Sequence, residues 1–192
     1  MQLSTVLSDG VLAVVSFWAA WIVYNAGLRP GAIAFLLTGA AAFAGVLRFS
    51  VFPGIVPVHS TLSAMAGQVG IPLLGLSFAH AVFRVPVTTL QLEAAGVALL
   101  AVCLVNRFVF PIPFYATVIG GIGALIIIVA GVRSMVSVAG VLAIGGAIVL
   151  IVAGLAIGSS GEIWKLRRVD LYHYALAISM WMMGTALRKI LV

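Results

Sequence analysis

The chain has 192 residues, of which 64% are hydrophobic and 7% are charged, and its formal net charge is +6. A soluble domain carries about 25% charged residues, so this composition excludes a soluble globular fold and predicts an integral membrane protein. The basic residues stand singly in loops and at helix ends. That distribution argues against nucleic-acid binding and favours contacts with membrane lipids through anionic headgroups.

Seven segments meet the requirement of about 20 mostly apolar residues for a membrane-spanning helix. The breaks between them contain Pro, Gly or charged residues, and they are too short to hold a soluble domain. Backbone groups in lipid must be paired within helices. We therefore predict an all-α protein in which residues 1–192 form a single domain, an antiparallel bundle of seven transmembrane helices. The predicted helices are 11–28, 31–52, 61–83, 89–105, 113–132, 135–157 and 170–187.

Small residues recur along the predicted helices, most regularly at Ala139, Ala143 and Ala147 and around Gly120 and Gly123. Such spacing lets helix backbones approach closely in lipid. It predicts packing inside the bundle, and the same faces could support a homo-oligomer.

The basic residues give little indication of the orientation in the membrane, because seven spans place five of them on each side. One side holds Arg48, Arg107, Lys165, Arg167 and Arg168, and the other holds Arg29, Arg84, Arg133, Arg188 and Lys189. The first helix is followed by Arg29 and preceded by no basic residue. By the positive-inside rule this favours an N-terminus outside, in a plasma or inner membrane.

An Asp-x-x-His pair opens the last predicted helix, where Asp170 and His173 share one helix face. The topology puts this pair on the same membrane side as His59, at the start of the third helix. Two imidazoles and a carboxylate are a ligand set that zinc accepts, so we predict a zinc site at His59, Asp170 and His173. Simpler roles stay open: Asp170 could cap its helix, and the histidines could lie at the interface.

Three more polar residues on this side fit a hydrolytic reaction. Zinc lowers the pKa of bound water towards neutrality and so creates a nucleophile. Ser60 or Ser63 could donate a hydrogen bond to a developing oxyanion, and Arg48 could bind a phosphate or carboxylate headgroup. These residues predict a metal-dependent hydrolase that acts on a lipid or amphiphile.

The seven-helix pattern and the segment Leu171-Tyr172-His173 resemble the CREST superfamily of membrane hydrolases, which includes alkaline ceramidases, adiponectin receptors and haemolysin-III-like proteins. In that group two zinc-binding histidines are spaced His-x-x-x-His on the seventh helix. Here Val169 stands four residues before His173, and Asp170 is the nearest alternative ligand. The resemblance implies a zinc-dependent hydrolase with its site at the starts of helices three and seven.

Two other functions are compatible with the same residues. A transporter or channel for a small solute or ion would have a path lined by the glycine-rich fifth and sixth helices, Pro72 and Gln68, and its flux would depend on Gln68 or His59. A membrane scaffold would use the polar cluster only for structure or for binding a partner.

Overall fold

The structure, a computed structural model, describes residues 2–84, 86–164 and 166–192. Lys165, counted above in the charge balance, lies outside the described residues. Eight α-helices account for most of the chain, as expected for an all-α protein. They are α1 Leu3–Asn25, α2 Arg29–Ser50, α3 Val56–Met65, α4 Ile71–Phe83, α5 Thr89–Phe108, α6 Tyr115–Arg133, α7 Val138–Val152 and α8 Arg168–Leu191.

Irregular helical turns lengthen two of these helices. A 3₁₀ turn at Pro53–Ile55 precedes α3, and a π turn at Ala66–Gly70 joins α3 to α4, so that Pro53–Phe83 forms one continuous rod. A second π turn, Ala153–Ile157, extends α7. Two short strands, β1 Glu162–Ile163 and β2 Leu166–Arg167, pair antiparallel just before α8. π turns are rare in proteins, and those that occur are often found at functional sites. The turn at 66–70 therefore marks a candidate functional region.

Local sequence explains where several helices begin. Pro30 occupies the first turn of α2, where its missing N–H costs nothing. Thr88 and Gln91 form a capping box at the start of α5: the Thr88 N–H donates to Gln91 Oε1 at 2.8 Å, and the Gln91 N–H donates to Thr88 Oγ1 at 3.2 Å. Ser137 caps α7 by accepting from the Gly140 N–H at 3.2 Å.

Six rods form a closed ring. In order around the ring they are α1, α2, the α3–α4 rod, α6, α7 and α8, and α8 packs back against α1. Helix α5 lies at the periphery against α2, α3 and α4, and among its residues, all of them described, only Leu92 and Cys103 are buried. The first and last helices are therefore neighbours in space.

Small residues bring the helices of the ring together. A Cβ added at Gly75 would lie 2.7 Å from the Gly123 carbonyl oxygen, and one added at Gly184 would lie 2.7 Å from Ala19 Cβ. Ala143 and Ala147 are fully buried in the same ring. These faces pack within the bundle, and the predicted homo-oligomer stays a prediction.

The described chain contains six helices long and apolar enough to span a membrane, as expected of a multi-pass membrane protein. These are Leu3–Asn25, Arg29–Ser50, Pro53–Phe83, Thr89–Phe108, Tyr115–Arg133 and Val138–Ile157. Helix α8 is not among them, and polar or charged residues stand near both of its ends. The helical bundle is thus confirmed, whereas a seventh span stays a prediction.

The predicted start of the first helix was wrong by eight residues. We predicted a helix from Val11, but α1 begins at Leu3. The polar side chains of Thr5, Ser8 and Asp9 are buried against α8 rather than solvated. Asp9 therefore lies on α1, inside the bundle.

Candidate functional site

An Asp–His pair joins the first and last helices of the ring. Asp9 Oδ1 on α1 lies 3.0 Å from His173 Nδ1 on α8, and the two side chains are 1% and 11% exposed. An ionised carboxylate only accepts hydrogen bonds, so when Asp9 is ionised and His173 is neutral, His173 Nδ1 carries the proton and donates it to Asp9. The neutral imidazole then keeps a free lone pair on Nε2, the nitrogen that can act as a base.

Ser8 connects this pair to a second carboxylate. Its Oγ lies 3.3 Å from Asp170 Oδ1, 3.1 Å from the Thr5 carbonyl oxygen and 3.4 Å from His173 Nδ1. Both Ser8 and Asp170 are buried. Two carboxylates, one imidazole and one hydroxyl therefore meet at a single contact between α1 and α8, although about 165 residues separate them in sequence.

The second oxygen of Asp9 has an unusual environment. Asp9 Oδ2 is buried and accepts no hydrogen bond from the described residues. Gly45 on α2 lies against it, and any Cβ at position 45 would collide with the carboxylate. Buried polar atoms without a partner are uncommon and costly. Such an atom next to an Asp–His pair indicates a site maintained for function rather than for stability.

A second polar pair stands opposite, between α2 and α3. Arg48 Nη1 lies 3.1 Å from His59 Nδ1, and the Arg48 guanidinium also stacks 4.7 Å from the centre of the Phe49 ring. Arginine has only donors, so His59 Nδ1 must be the acceptor. The remaining proton of neutral His59 therefore sits on Nε2, which becomes a hydrogen-bond donor.

Both pairs contribute to one partly open cavity of about 120 Å³ between the helices, called here the central cavity. Its polar end is formed by Asp9, His59, Ser63, Tyr172 and His173. The other lining residues are Leu12, Thr38, Ala41, Ala42, Ala66, Gly67, Ile71, Leu150, Leu176 and Met180. In these tautomers the two cavity-lining histidines have opposite hydrogen-bonding character, since His173 Nε2 is an acceptor and His59 Nε2–H is a donor.

The predicted catalytic residues have different positions relative to the central cavity. Ser63 lines it, and its Oγ donates to the His59 carbonyl oxygen at 2.9 Å. Arg48 reaches the cavity only through His59. Ser60 is not among the lining residues: it accepts a 2.6 Å hydrogen bond from Arg107 Nη2 and donates to the Pro57 carbonyl oxygen.

The predicted metal ligands are brought together only in part. His59 and His173 line the central cavity, but Asp170 faces Ser8 and is not a lining residue. Within residues 2–84, 86–164 and 166–192 no three His, Cys, Asp or Glu side chains are grouped so as to hold a metal ion. His59 also uses its only free lone pair to accept from Arg48. The residues present therefore do not fit a zinc ion, and the zinc site stays a prediction without support from this geometry.

Sequence reasoning missed Asp9 and Ser8, which complete the candidate site. The available signal was an acidic residue, Asp9, two positions before a long apolar run. An ionisable residue at the edge of a span marks a functional site by default. Placing the helix start after Asp9 removed it from consideration.

The chain was compared with curated proteins, with solved structures and with protein-family models. Searches of curated proteins and of solved structures found no match. The model of DUF6962, described as a family of unknown function, matches residues 4–192, from the first turn of α1 to the last residue. Because this match covers nearly the whole chain, the protein belongs to the DUF6962 family.

Proposed function

We propose that this chain is a seven-span membrane hydrolase that cleaves an ester or amide bond of a lipid or amphiphile, with His173 as its general base. The observation that carries the proposal is the 3.0 Å contact between His173 Nδ1 and Asp9 Oδ1 at the wall of a cavity. A carboxylate that holds Nδ1–H fixes the tautomer and orientation of the imidazole and stabilises the imidazolium form.

The proposed reaction uses water as the nucleophile. His173 Nε2 takes a proton from a water molecule while the water oxygen attacks the carbonyl carbon, which gives a tetrahedral intermediate. The intermediate then collapses, the bond to the leaving alkoxide or amine breaks, and His173 returns the proton to that leaving group. The products are a carboxylic acid and an alcohol or amine, and no metal ion enters the reaction.

His59 supports the developing negative charge in this scheme. Its Nε2–H is oriented by the hydrogen bond that Arg48 donates to Nδ1 at 3.1 Å. The guanidinium also adds a positive charge directly behind the imidazole. Donors fixed in advance stabilise an oxyanion strongly in a poorly solvated site. His59 and His173 thus take the complementary roles of oxyanion donor and base.

The core geometry favours chemistry in the central cavity over transport through the bundle. Beyond the cavity the ring is filled by large apolar side chains. Phe35, Phe78, Leu73, Leu74 and Leu187 are each at most 2% exposed. Phe35 is 13 residues from Arg48 along α2, about 20 Å at 1.5 Å per residue. The ionisable residues that line the cavity therefore lie at one end of the bundle.

The test is hydrolysis by purified protein in nanodiscs. A panel of 4-nitrophenyl esters and anilides of straight-chain acids is the probe, with release of the chromophore as the signal. We expect the rate to fall by about 10²–10⁴-fold in His173→Gln, since this is the usual contribution of a general acid–base group. The Michaelis constant should change little, because His173 is assigned to the chemical step.

His80→Gln is the matched control, because His80 lies near the far end of the same rod as His59. We expect it to hydrolyse the panel at the wild-type rate. Equal rates for His173→Gln and wild type, or no hydrolysis of any panel member by the wild type, would reject the proposal.

A further inference from the structure

The lining of the central cavity changes from polar to apolar along the bundle axis. Its polar residues lie at the end near His59 and His173. From there the wall runs along the rod from His59 to Ile71, a distance of about 18 Å at 1.5 Å per residue, and along α8 from His173 to Met180. The deeper wall is apolar. A ligand that fills this space needs a polar end and an apolar end.

Thr38 looks like an exception in the deeper wall, but its hydroxyl is not directed at a ligand. Thr38 Oγ1 donates back to the Ala34 carbonyl oxygen of its own helix at 3.5 Å. A threonine that bonds to its own helix leaves its methyl group for packing. Together with Leu12, Ala42 and Met180 it forms an apolar wall.

The size of the central cavity limits the shape of its ligand. Its volume is about 120 Å³, whereas sites for drug-sized ligands occupy about 300–1,000 Å³. Fused rings or two side-by-side chains therefore do not fit. A short unbranched chain, with its polar end at the histidines, fits this volume, whereas a chain as long as the whole lining does not.

Gly67 has open space beside it. It lines the cavity within the π turn Ala66–Gly70, and a Cβ placed on it would meet no atom within 4 Å. The π turn is fixed from the other side, because Asn106 Nδ2 donates to Gln68 Oε1 at 3.3 Å. A Cβ at position 67 would thus occupy free space without moving its neighbours.

We propose that the apolar part of the central cavity holds one unbranched hydrocarbon chain of the ligand, and that Gly67 sets the length of chain it accepts. This inference rests on the proposed function for the identity of the reacting bond. The cavity nevertheless selects a single-chain amphiphile whether or not hydrolysis occurs. Gly67 is a specificity-determining residue and takes no part in proton transfer.

The experiment is photolabelling with a straight-chain alcohol that carries a diazirine near its methyl end, followed by peptide mass spectrometry. Wild-type protein in nanodiscs should be labelled at Thr38, Ala42 or Met180. Unlabelled straight-chain alcohols of four to twelve carbons should compete up to a limiting length. In Gly67→Leu we expect at least a tenfold loss of this labelling and a shift of the limit to shorter chains, with Gly67→Ala intermediate.

Gly121→Leu is the matched control, because a Cβ at Gly121 also meets no atom within 4 Å and Gly121 does not line the central cavity. It should be labelled like the wild type. Unchanged labelling in Gly67→Leu, or an equal loss in Gly121→Leu, overturns the proposal. A monodisperse profile in size-exclusion chromatography for both variants shows that folding is not the cause.

Labelling separates this inference from the proposed hydrolysis. His173→Gln should lose hydrolysis and keep the labelling of the deep wall. Labelling at these residues with no hydrolysis in the wild type would leave the chain site standing and reject the enzyme. Hydrolysis that depends on His173, without labelling at these residues, would support the enzyme and reject the chain site.

Discussion

Asp9 is almost completely buried, yet only one of its two oxygens has a partner among the described residues. A carboxylate in this position needs a role that offsets its desolvation. We expect Asp9→Asn to lower kcat by about 10²–10⁴-fold, with little change in KM, because an amide cannot hold His173 in the reactive tautomer. Steady-state kinetics on the ester panel measures both constants. A purely structural Asp9 would instead lower the amount of folded protein and leave kcat of the remainder unchanged.

The Asp9 carboxylate leaves no room for a side chain at position 45, which is a glycine. An alanine methyl group at position 45 would collide with Asp9, so we expect Gly45→Ala to destabilise the fold by about 1–3 kcal/mol, the usual cost of overpacking. Gly121→Ala is the comparison, since its Cβ meets open space. It should be more stable than wild type by about 0.5–1 kcal/mol, because alanine replaces a helical glycine. Unfolding by SDS titration measures both. Equal stability of the two variants would contradict the contact between Gly45 and Asp9.

Helix α8 carries half of the candidate site and packs against both α1 and α7. Its 24 residues extend for about 36 Å, which exceeds the hydrocarbon thickness of about 30 Å. We therefore expect α8 to cross the membrane as the seventh span. In Ser160→Cys and Val192→Cys, with Cys103→Ser as background, a membrane-impermeant maleimide should label the two positions from opposite sides of a sealed vesicle. Labelling of both from one side would contradict a seventh span.

Hydrogen bonds from Arg107 connect the C-terminal end of helix α5 to α3. Arg107 donates to Ser60 Oγ at 2.6 Å and to Thr61 Oγ1 at 3.2 Å. Because a hydrogen bond to a charged group contributes about 1.5–3 kcal/mol and this one is only half-buried, we expect Arg107→Ala to destabilise the protein by about 1–3 kcal/mol. Hydrogen exchange should rise in α5 and in the loop after it. Arg133→Ala, at the exposed end of α6, is the control. The same exchange pattern in both variants would show that Arg107 does not hold α5.

The helices of this bundle could be predicted because their signal is local. Apolar runs of sufficient length and breaks at Pro, Gly or charged residues identify each one in the sequence. The start of α1 could not be predicted in this way. Thr5, Ser8 and Asp9 look like a solvated tail until α8 provides their surroundings, and that contact joins residues about 165 positions apart. The π turn at 66–70 also has no local signature.

At the scale of the whole molecule, topology predicted one part of the candidate site and missed the other. Alternating spans correctly placed His59, Ser63 and His173 at the same end, and all three line the central cavity. Alternation alone does not say which helices are neighbours. The ring puts α1 beside α8, so His173 pairs with Asp9, a contact that alternation does not predict.

The division of the bundle into a polar end and an apolar end also determines what can cross it. Ions and protons need a continuous polar or hydrated path, and at the far end Phe35, Phe78 and Leu187 fill the ring. We therefore expect proteoliposomes loaded with a pH-sensitive dye to dissipate a proton gradient no faster than protein-free vesicles. Asp9→Asn should not alter this rate, and gramicidin provides the positive control. A base at one end of the bundle cannot pass protons to the other end without a polar path between them. Proton flux that the wild type supports and Asp9→Asn abolishes would therefore contradict this expectation and assign the Asp–His pair to transport.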